Sequence, residues 1–185
     1  MLLNIDMICT PIKKFENFYN LVSEINDLIK NFPFRENVMQ LGLQVKDPNN
    51  DSIEQFYEST GRIRKTGGMI VEPQYKFIHP KLRGGFVDQW LQSLSEYRIV
   101  RTRLMYMNPR ACYSIHSDPY PRIHLPVITN PQCLMIFPEQ NSIEHMPADG
   151  TSYYVDTTKK HTFINCSEVP RIHLVGVVLP PRPTS

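Results

Sequence analysis

The chain has 185 residues, a formal net charge of only +2, and 41% apolar against 21% charged residues. This length favours one domain that buries a core without staples, and the composition is that of a globular rather than a disordered protein. The sequence contains neither a stretch of about 18 apolar residues nor a long basic run. We therefore expect no membrane span and no nucleic-acid partner.

Cysteine usage and the N-terminal sequence bear on the compartment. The basic residues near the start follow the apolar ones, which is the reverse of a signal peptide, so we expect none. Cys9, Cys112, Cys133 and Cys166 are scattered and form no CxxC pair. Such spacing is typical of reduced thiols and predicts a cytoplasmic protein.

The first half of the chain carries the helical signals. Apolar side chains recur at three- and four-residue steps over about 13–31, between Pro11 and Pro33, which predicts an amphipathic helix. A similar pattern predicts a second helix over about 84–96. Between them, Val38 to Val45 is predicted to form a strand.

From Arg98 onward the pattern changes to a period of two. Val100, Thr102 and Leu104 alternate with Arg101 and Arg103, which predicts a half-buried strand. Further short strands are predicted at Cys112–His116, Arg122–Thr129, Gln132–Phe137, Ser152–Val155, Thr162–Cys166 and Arg171–Leu179. Many short, evenly spaced strands favour a sandwich or a barrel.

A five-residue sequence, PRIHL, occurs at 121–125 and again at 170–174. In each copy the Arg and the His are two residues apart, so on a strand both side chains point to one side. The repetition is either a coincidence or the mark of two strands that face the same cavity.

Three residues could form a metal site. His116 and Asp118 are two apart, which places an imidazole and a carboxylate on one face of a strand. His161, at the start of another predicted strand, could complete a triad of two His and one carboxylate that leaves positions on iron open. Ten residues later, Arg171 could pair with a dicarboxylate that chelates the metal.

Simpler interpretations exist for each of these residues. A buried His is more often a hydrogen-bonded core residue than a ligand, and we give that interpretation to His79 and His145. An HxD pair alone is a weak signal. The order HxD, distant His and then Arg, all within the strand-rich half, is the stronger one.

Residues 98–178 resemble the aspartyl/asparaginyl β-hydroxylase branch of the iron(II)/2-oxoglutarate oxygenases, a branch that also includes free-proline hydroxylases. The motifs that carry the resemblance appear in order along the chain. They are His116-Ser-Asp118, Arg122-Ile-His124-Leu-Pro126, Asp156 to His161 with Asn165, and Arg171-Ile-His173-Leu-Val175.

The resemblance implies a mainly β fold, a double-stranded β-helix or cupin-like jelly roll, with N-terminal helices against its outer face. We expect a single oxygenase domain over 1–185, with a helix-containing support region at 1–97, a catalytic core at 98–180 and a tail at 181–185. The implied cofactors are Fe(II) and 2-oxoglutarate, with dioxygen as co-substrate.

The resemblance also assigns roles to residues. It implies that His116, Asp118 and His161 bind iron, and that Arg171 binds the distal carboxylate of 2-oxoglutarate. Arg122 and His124 would lie near the carboxylate that chelates iron. Possible supporting residues around this site are His173, Asp156 and Asn165, of which Asp156 is expected to orient the turn before His161 rather than to bind metal.

The expected reaction is hydroxylation of an amino-acid side chain, in a protein or peptide in preference to a free amino acid such as proline. Two other classes stay open: a cupin-like module that binds metal without turnover, and a zinc hydrolase. Polar stretches at 46–60, 65–74 and 138–150 are expected to be loops that could rim a substrate groove. Tyr57, Arg62 and Arg64 are candidate contacts there.

Overall fold

The structure is a computed structural model of the chain and describes residues 8–36, 38–61 and 70–182. Within these ranges the α-helices are α1 (Phe18–Asn31), α2 (Gln55–Glu58) and α3 (Phe86–Ser93). Short 3-10 turns lie at Glu72–Gln74, Pro80–Leu82 and Pro138–Gln140.

The strands account for most of the regular structure in the second half of the chain. In chain order they are β1 (Cys9–Lys14), β2 (Gln40–Gly42), β3 (Gln44–Val45), β4 (Phe77–Ile78), β5 (Arg98–Met107), β6 (Ala111–Cys112), β7 (Arg122–Ile128), β8 (Cys133–Phe137), β9 (Ser142–Glu144), β10 (Thr151–Val155), β11 (Thr162–Asn165) and β12 (Arg171–Leu179).

Two antiparallel sheets form the body of the fold. The larger has the strand order β1-β10-β7-β12-β5-β2, and the smaller has the order β6-β11-β8-β9. Met107 and Val155 from the larger sheet share an apolar cluster with Phe137 and Phe163 from the smaller one. The two sheets therefore face each other, in the jelly-roll arrangement that the resemblance implied.

The central strands of the larger sheet are buried on both faces. All nine residues of β12 are buried, and so are the first six of β7. Ile123 and Leu125 of β7, and Leu174 of β12, belong to the core shared with the helices. The side chains that alternate with them face the smaller sheet, because successive residues of a strand point to opposite faces.

The N-terminal helices cover the outer face of the larger sheet. α1 buries Phe18, Leu21 and Ile25 in the same cluster as Trp90 of α3. The indole of Trp90, which is fully buried, donates a hydrogen bond to the hydroxyl of Ser152 on β10 at 2.9 Å. In the part of the chain that the structure describes, no helix is long and apolar enough to cross a membrane.

Several predicted element boundaries were wrong. The first helix begins at Phe18 rather than near residue 13, because Cys9–Lys14 pairs with β10 at the edge of the larger sheet. Pro11, expected outside a helix, lies in that edge strand, where a missing N–H is tolerated. The strand expected over 38–45 is divided into β2 and β3.

The strand that begins at Arg98 also differs from its prediction. We expected it to be half-buried, but Arg101 and Arg103 on its polar side are as inaccessible as Leu104 on its apolar side. Two of the stretches expected to be loops contain regular structure, α2 within 46–60 and β9 within 138–150. Residues 65–69 of the stretch 65–74, with Arg62 and Arg64, lie outside the described residues, and its remaining part contains the 3-10 turn Glu72–Gln74.

Candidate functional site

A cavity of about 170 Å³ lies between the two sheets. Its lining is rich in charged and imidazole side chains, which the larger sheet, the smaller sheet and the loop between β6 and β7 all contribute. These are Arg101, Arg103, His116, Asp118, Arg122, His124, His161 and Arg171. The alternation of β5, β7 and β12 thus directs apolar residues to the helices and polar ones to the cavity.

The predicted triad comes together at one point of this cavity. One donor atom from each of His116, Asp118 and His161 lies within 4.8 Å of the other two. Backbone hydrogen bonds hold the three segments: His116 and His161 form a two-way antiparallel bridge, and the Asp118 N–H donates to the Thr157 carbonyl at 2.8 Å. Ligands of one ion at about 2.1 Å lie about 3 Å apart, so small side-chain rotations would suffice.

Both histidines present a free ring nitrogen to the site. Nδ1 of His116 lies 2.8 Å from the carbonyl of Ser114, and Nδ1 of His161 lies 2.9 Å from that of Lys159. A carbonyl only accepts, so each Nδ1 carries the proton and each Nε2 has a lone pair. Burial lowers the pKa of His161, which keeps it neutral. The donor set therefore fits a divalent ion.

The carboxylate of Asp118 is held by Arg122. The guanidinium group makes a two-pronged contact, with Nε 3.0 Å from Oδ2 and Nη2 2.9 Å from Oδ1. Burial alone would raise the pKa of Asp118, but the hydrogen bond and charge of Arg122 outweigh it and lower that pKa. Asp118 is thereby kept ionised, the form that a metal binds.

Arg122 also belongs to a buried ion network that the sequence did not reveal. Oε1 of Glu72 lies 2.6 Å from Nη1 of Arg101 and 3.3 Å from Nη1 of Arg122. Arg101 itself sits at a β-bulge with φ 50°, a conformation uncommon outside glycine. The carboxylate of Glu72 thus connects β5 with β7 and, through Arg122, with Asp118.

Arg171 is buried at the other end of the cavity. Its guanidinium carbon lies 4.0 Å from the centre of the Phe163 ring, and Nη2 donates to Nδ1 of His173 at 2.7 Å. Burial lowers the pKa of Arg171 to about 10, so the group stays charged at neutral pH. Its Nε has no hydrogen-bond partner within the described residues, which leaves a charged donor for an anionic ligand.

The two PRIHL copies lie on neighbouring strands of the larger sheet. β7 and β12 are neighbours, and Nδ1 of His124 lies 3.4 Å from Nδ1 of His173. Arg122, His124 and Arg171 line the same cavity, which confirms that the repeat marks two strands facing one space. His173 lies behind this lining as the acceptor for Arg171, and burial holds its pKa well below the ordinary range.

Two of the expected supporting residues stabilise turns. Oδ1 of Asp156 accepts from the backbone and the hydroxyl of Thr158, in the turn that leads to His161. Asn165 is buried, and its amide donates to the carbonyls of Asn108 and Val169. Asn165 therefore fixes the turn before Arg171 and does not line the cavity.

The histidines given a structural interpretation lie elsewhere. His79 stacks on Phe56 with ring centroids 3.8 Å apart and accepts a hydrogen bond from the Lys81 N–H. His145 contacts the Cys133 carbonyl through Nδ1 at 3.1 Å. Tyr57, a candidate substrate contact, is buried and donates to the Pro33 carbonyl.

Comparison with known proteins identifies the family to which the chain belongs. The sequence profile of a family described as aspartyl/asparaginyl beta-hydroxylase matches residues 86–181, just over half of the chain. The chain belongs to this family. As an aspartyl/asparaginyl beta-hydroxylase family member it is an Fe(II)- and 2-oxoglutarate-dependent hydroxylase. No curated protein matches it.

Solved structures agree on the fold of this family member. A prolyl-4-hydroxylase from Pseudomonas putida superposes with a TM-score of 0.57 at 11% identity, covering 96% of this chain and 95% of that one. A viral collagen prolyl hydroxylase from Paramecium Bursaria Chlorella virus-1, solved as a 2OG complex, gives 0.51 at 13% identity, covering 96% and 99%. At these identities the likeness establishes the jelly-roll fold alone.

The buried network predicts a large effect on stability at Glu72. Glu72→Gln removes the carboxylate that Arg101 and Arg122 share and leaves two buried guanidinium groups with less compensation. Breaking a buried pair in this way costs about 3–5 kcal/mol, to be measured by urea unfolding followed by far-UV circular dichroism. Glu168→Gln, which removes an ion pair of Arg110 on the surface, is the matched control and should change little.

Proposed function

We propose that His116, Asp118 and His161 bind the iron of this hydroxylase and that Arg171 binds the distal carboxylate of 2-oxoglutarate. The observation that carries the metal assignment is the orientation of the two histidines. Both donate Nδ1–H to backbone carbonyls, so that each Nε2 carries a lone pair, and Nε2 of His161 lies 3.9 Å from Oδ2 of Asp118. Such outer hydrogen bonds are typical of histidines that bind metals.

The protein residues supply binding, orientation and shielding. When bound, iron and 2-oxoglutarate supply the oxidation, in which 2-oxoglutarate becomes succinate and CO₂ and one oxygen atom of dioxygen enters a C–H bond of the substrate. Arg122 keeps Asp118 ionised and fixes its orientation. Arg171, stacked on Phe163, orients the co-substrate, and His124 lies between these two arginines on the cavity wall.

The proposed substrate is an amino-acid side chain within a polypeptide. Next to His116, the side chains of Tyr113 and Ile115 are 36% and 59% exposed, and exposed apolar groups beside a site favour contact with a larger ligand. The segment follows β6, the edge strand of the smaller sheet. An edge offers backbone groups to which an extended peptide can add.

We also propose that the protein works in the cytoplasm. Its four cysteines lie apart as free thiols, the state that a reducing compartment maintains.

The metal assignment predicts the behaviour of His116→Ala. His116 is exposed and contributes little to packing, so the variant should fold normally while it loses iron and succinate formation. Metal content after anaerobic purification and 2-oxoglutarate turnover measure this. His145→Ala is the control, because His145 has a similar carbonyl contact outside the site. Iron content and turnover at wild-type levels in His116→Ala would exclude the triad, and zinc-supported hydrolysis would favour the hydrolase class.

The co-substrate assignment predicts the behaviour of Arg171→Ala. Charge-assisted hydrogen bonds contribute about 1.5–3 kcal/mol each, so the 2-oxoglutarate requirement should rise by about tenfold or more with iron binding little changed. The concentration dependence of succinate release is the measurement. Arg171→Lys keeps the charge and serves as a folding control. An unchanged requirement in a folded variant would transfer the role to another arginine, first of all Arg122.

The substrate assignment is tested by measuring whether succinate release is coupled to hydroxylation of the added compound. Succinate release is measured with free proline, asparagine and aspartate, and then with a peptide library, and products are checked by mass for one added oxygen atom. We expect stoichiometric coupling with peptides. Coupled hydroxylation of a free amino acid, with none from any peptide, would reject the polypeptide substrate and leave the oxygenase assignment intact.

A further inference from the structure

A second cavity, of about 520 Å³, lies where β12 ends. Among the described residues it shares no lining residue with the cavity between the two sheets, so it is separate from the proposed iron site. Tyrosines and prolines make up most of its wall. We call it the tyrosine groove, after Tyr97, Tyr120 and Tyr154.

The three tyrosine rings are held in place by the apolar residues at the end of β12. Tyr97 and Tyr154 pack against the large core cluster that includes Val178, with their ring centroids 6.3 Å apart. Tyr120 packs against a separate cluster that includes Leu179. Rings that are fixed before a ligand arrives lose little conformational entropy when it binds.

The hydroxyl groups of these tyrosines are available to a ligand. Within the described ranges 8–36, 38–61 and 70–182, tyrosine hydroxyls donate at Tyr57 and Tyr75, whereas those of the tyrosine groove have no protein partner. Burial raises the pKa of Tyr97 and of Tyr154, so both remain protonated donors at neutral pH. The groove therefore combines flat apolar rings with unused hydrogen-bond donors.

The backbone around the groove is already paired. Tyr154 lies on β10, which pairs with β1 on one side and with β7 on the other. Val178 pairs with Ile99 of β5, and its N–H donates to the Pro121 carbonyl at 2.9 Å. An extended peptide that adds to a sheet needs a free strand edge, and neither strand offers one here. Recognition in the groove must therefore use side chains.

A polyproline II segment has the chemistry that this groove complements. Such a segment makes no internal hydrogen bonds, and its prolines lack an N–H, so it presents apolar rings and carbonyl acceptors. Grooves lined by aromatic residues recognise segments of this kind. The protein contains one such contact itself: Nη1 of Arg98 donates to the Pro180 carbonyl at 2.6 Å, and Pro180 and Pro181 form one wall of the groove.

The charge at the rim of the groove indicates what accompanies the prolines. Glu96 lines the groove, is exposed, and forms no ion pair with any residue that the structure describes. The neighbouring base, Arg98, is engaged by the Pro180 carbonyl. An unpaired carboxylate beside a site for prolines favours a ligand that carries a positive charge.

We propose that the tyrosine groove binds a proline-rich segment of a partner protein, in the polyproline II conformation, with a basic residue that pairs with Glu96. The rings of Tyr97, Tyr120 and Tyr154 would pack on the prolines, and their hydroxyls would donate to the carbonyls of the segment. Binding there requires neither iron nor 2-oxoglutarate, so this docking site and the proposed iron site are tested independently.

The first experiment titrates the full chain into short fluorescently labelled peptides and follows their anisotropy. The probes are a proline-rich peptide with arginines, the same peptide with glutamines in place of the arginines, and the same peptide with alanines in place of the prolines. We expect the proline-arginine peptide to bind at least about tenfold more tightly than its alanine counterpart. It should bind about two- to fivefold more tightly than its glutamine counterpart, as one exposed ion pair provides.

Matched variants locate the binding. Tyr97→Phe and Tyr154→Phe keep the packing and remove one donor each, so each should weaken binding of the proline-arginine peptide by about three- to tenfold. Tyr19→Phe, at a tyrosine that is 84% exposed on α1, is the control and should not. Glu96→Gln should abolish the preference for arginine over glutamine and keep the preference for proline. Circular dichroism and Tm verify that every variant folds.

Methyl NMR spectra provide a second readout, in which the peptide should shift the resonances of Val178 and Leu179. Equal affinity for the proline and alanine peptides, no binding of any proline peptide, or unchanged binding in both Tyr→Phe variants would overturn the docking site. Equal affinity for the arginine and glutamine peptides would overturn the pairing with Glu96. Self-association of the chain that a synthetic peptide of residues 179–185 dissolves would assign the groove to a second copy, and would equally overturn the proposed partner.

Discussion

The shared carboxylate of Glu72 is the contact on which the geometry of the cavity depends. It lies between Arg101 of β5 and Arg122 of β7, two strands that are separated in the sheet by β12. Without it, the like charges of these two buried arginines would face each other where solvent screens their repulsion poorly. With it, Arg122 can present its remaining donors to Asp118, and a residue of the N-terminal half thereby fixes a proposed metal ligand of the C-terminal half.

Burial on both faces lets the same strands serve stability and chemistry. On β7 and β12, alternate residues enter the helix-covered core, and Arg122, His124 and Arg171 between them line the cavity. The apolar half of each strand provides the packing energy that offsets the cost of ordering the polar half. Core positions such as Leu125 and Leu174 therefore hold His124 and His173 in place, although they touch no ligand themselves.

The local sequence pattern predicted correctly those features whose structure depends mainly on residues near them in the chain. The alternation in Arg171–Leu179 predicted the bounds of β12 correctly, and the spacing of His116, Asp118 and His161 predicted a cluster that does form. The start of the first helix was missed because Cys9–Lys14 becomes a strand only through pairing with β10, more than a hundred residues away. Strand pairing over that distance leaves no trace in a local window.

Glu72 was missed for a related reason, since its partners are Arg101 and Arg122 and nothing near it in sequence marks it. A signal was nevertheless present. Once Arg101, Arg103, Arg122 and Arg171 are all assigned to inward positions of strands, buried counter-charges are required, and the single HxD carboxylate cannot supply them. Counting charges on the inward face would have indicated a missing acid, though not which one.

The charges that line the cavity also determine how ligands affect the stability of the protein. Buried guanidinium groups without carboxylate partners destabilise the folded state, and an anion that binds only the folded state stabilises it by mass action. The network around Glu72 pairs Arg101 and Arg122 within the protein and connects β5 with β7. Arg171 has no carboxylate partner among the described residues, so an anionic ligand is needed to offset the cost of its burial. Affinity at this position is obtained at the expense of stability, which is the exchange expected of residues kept for function.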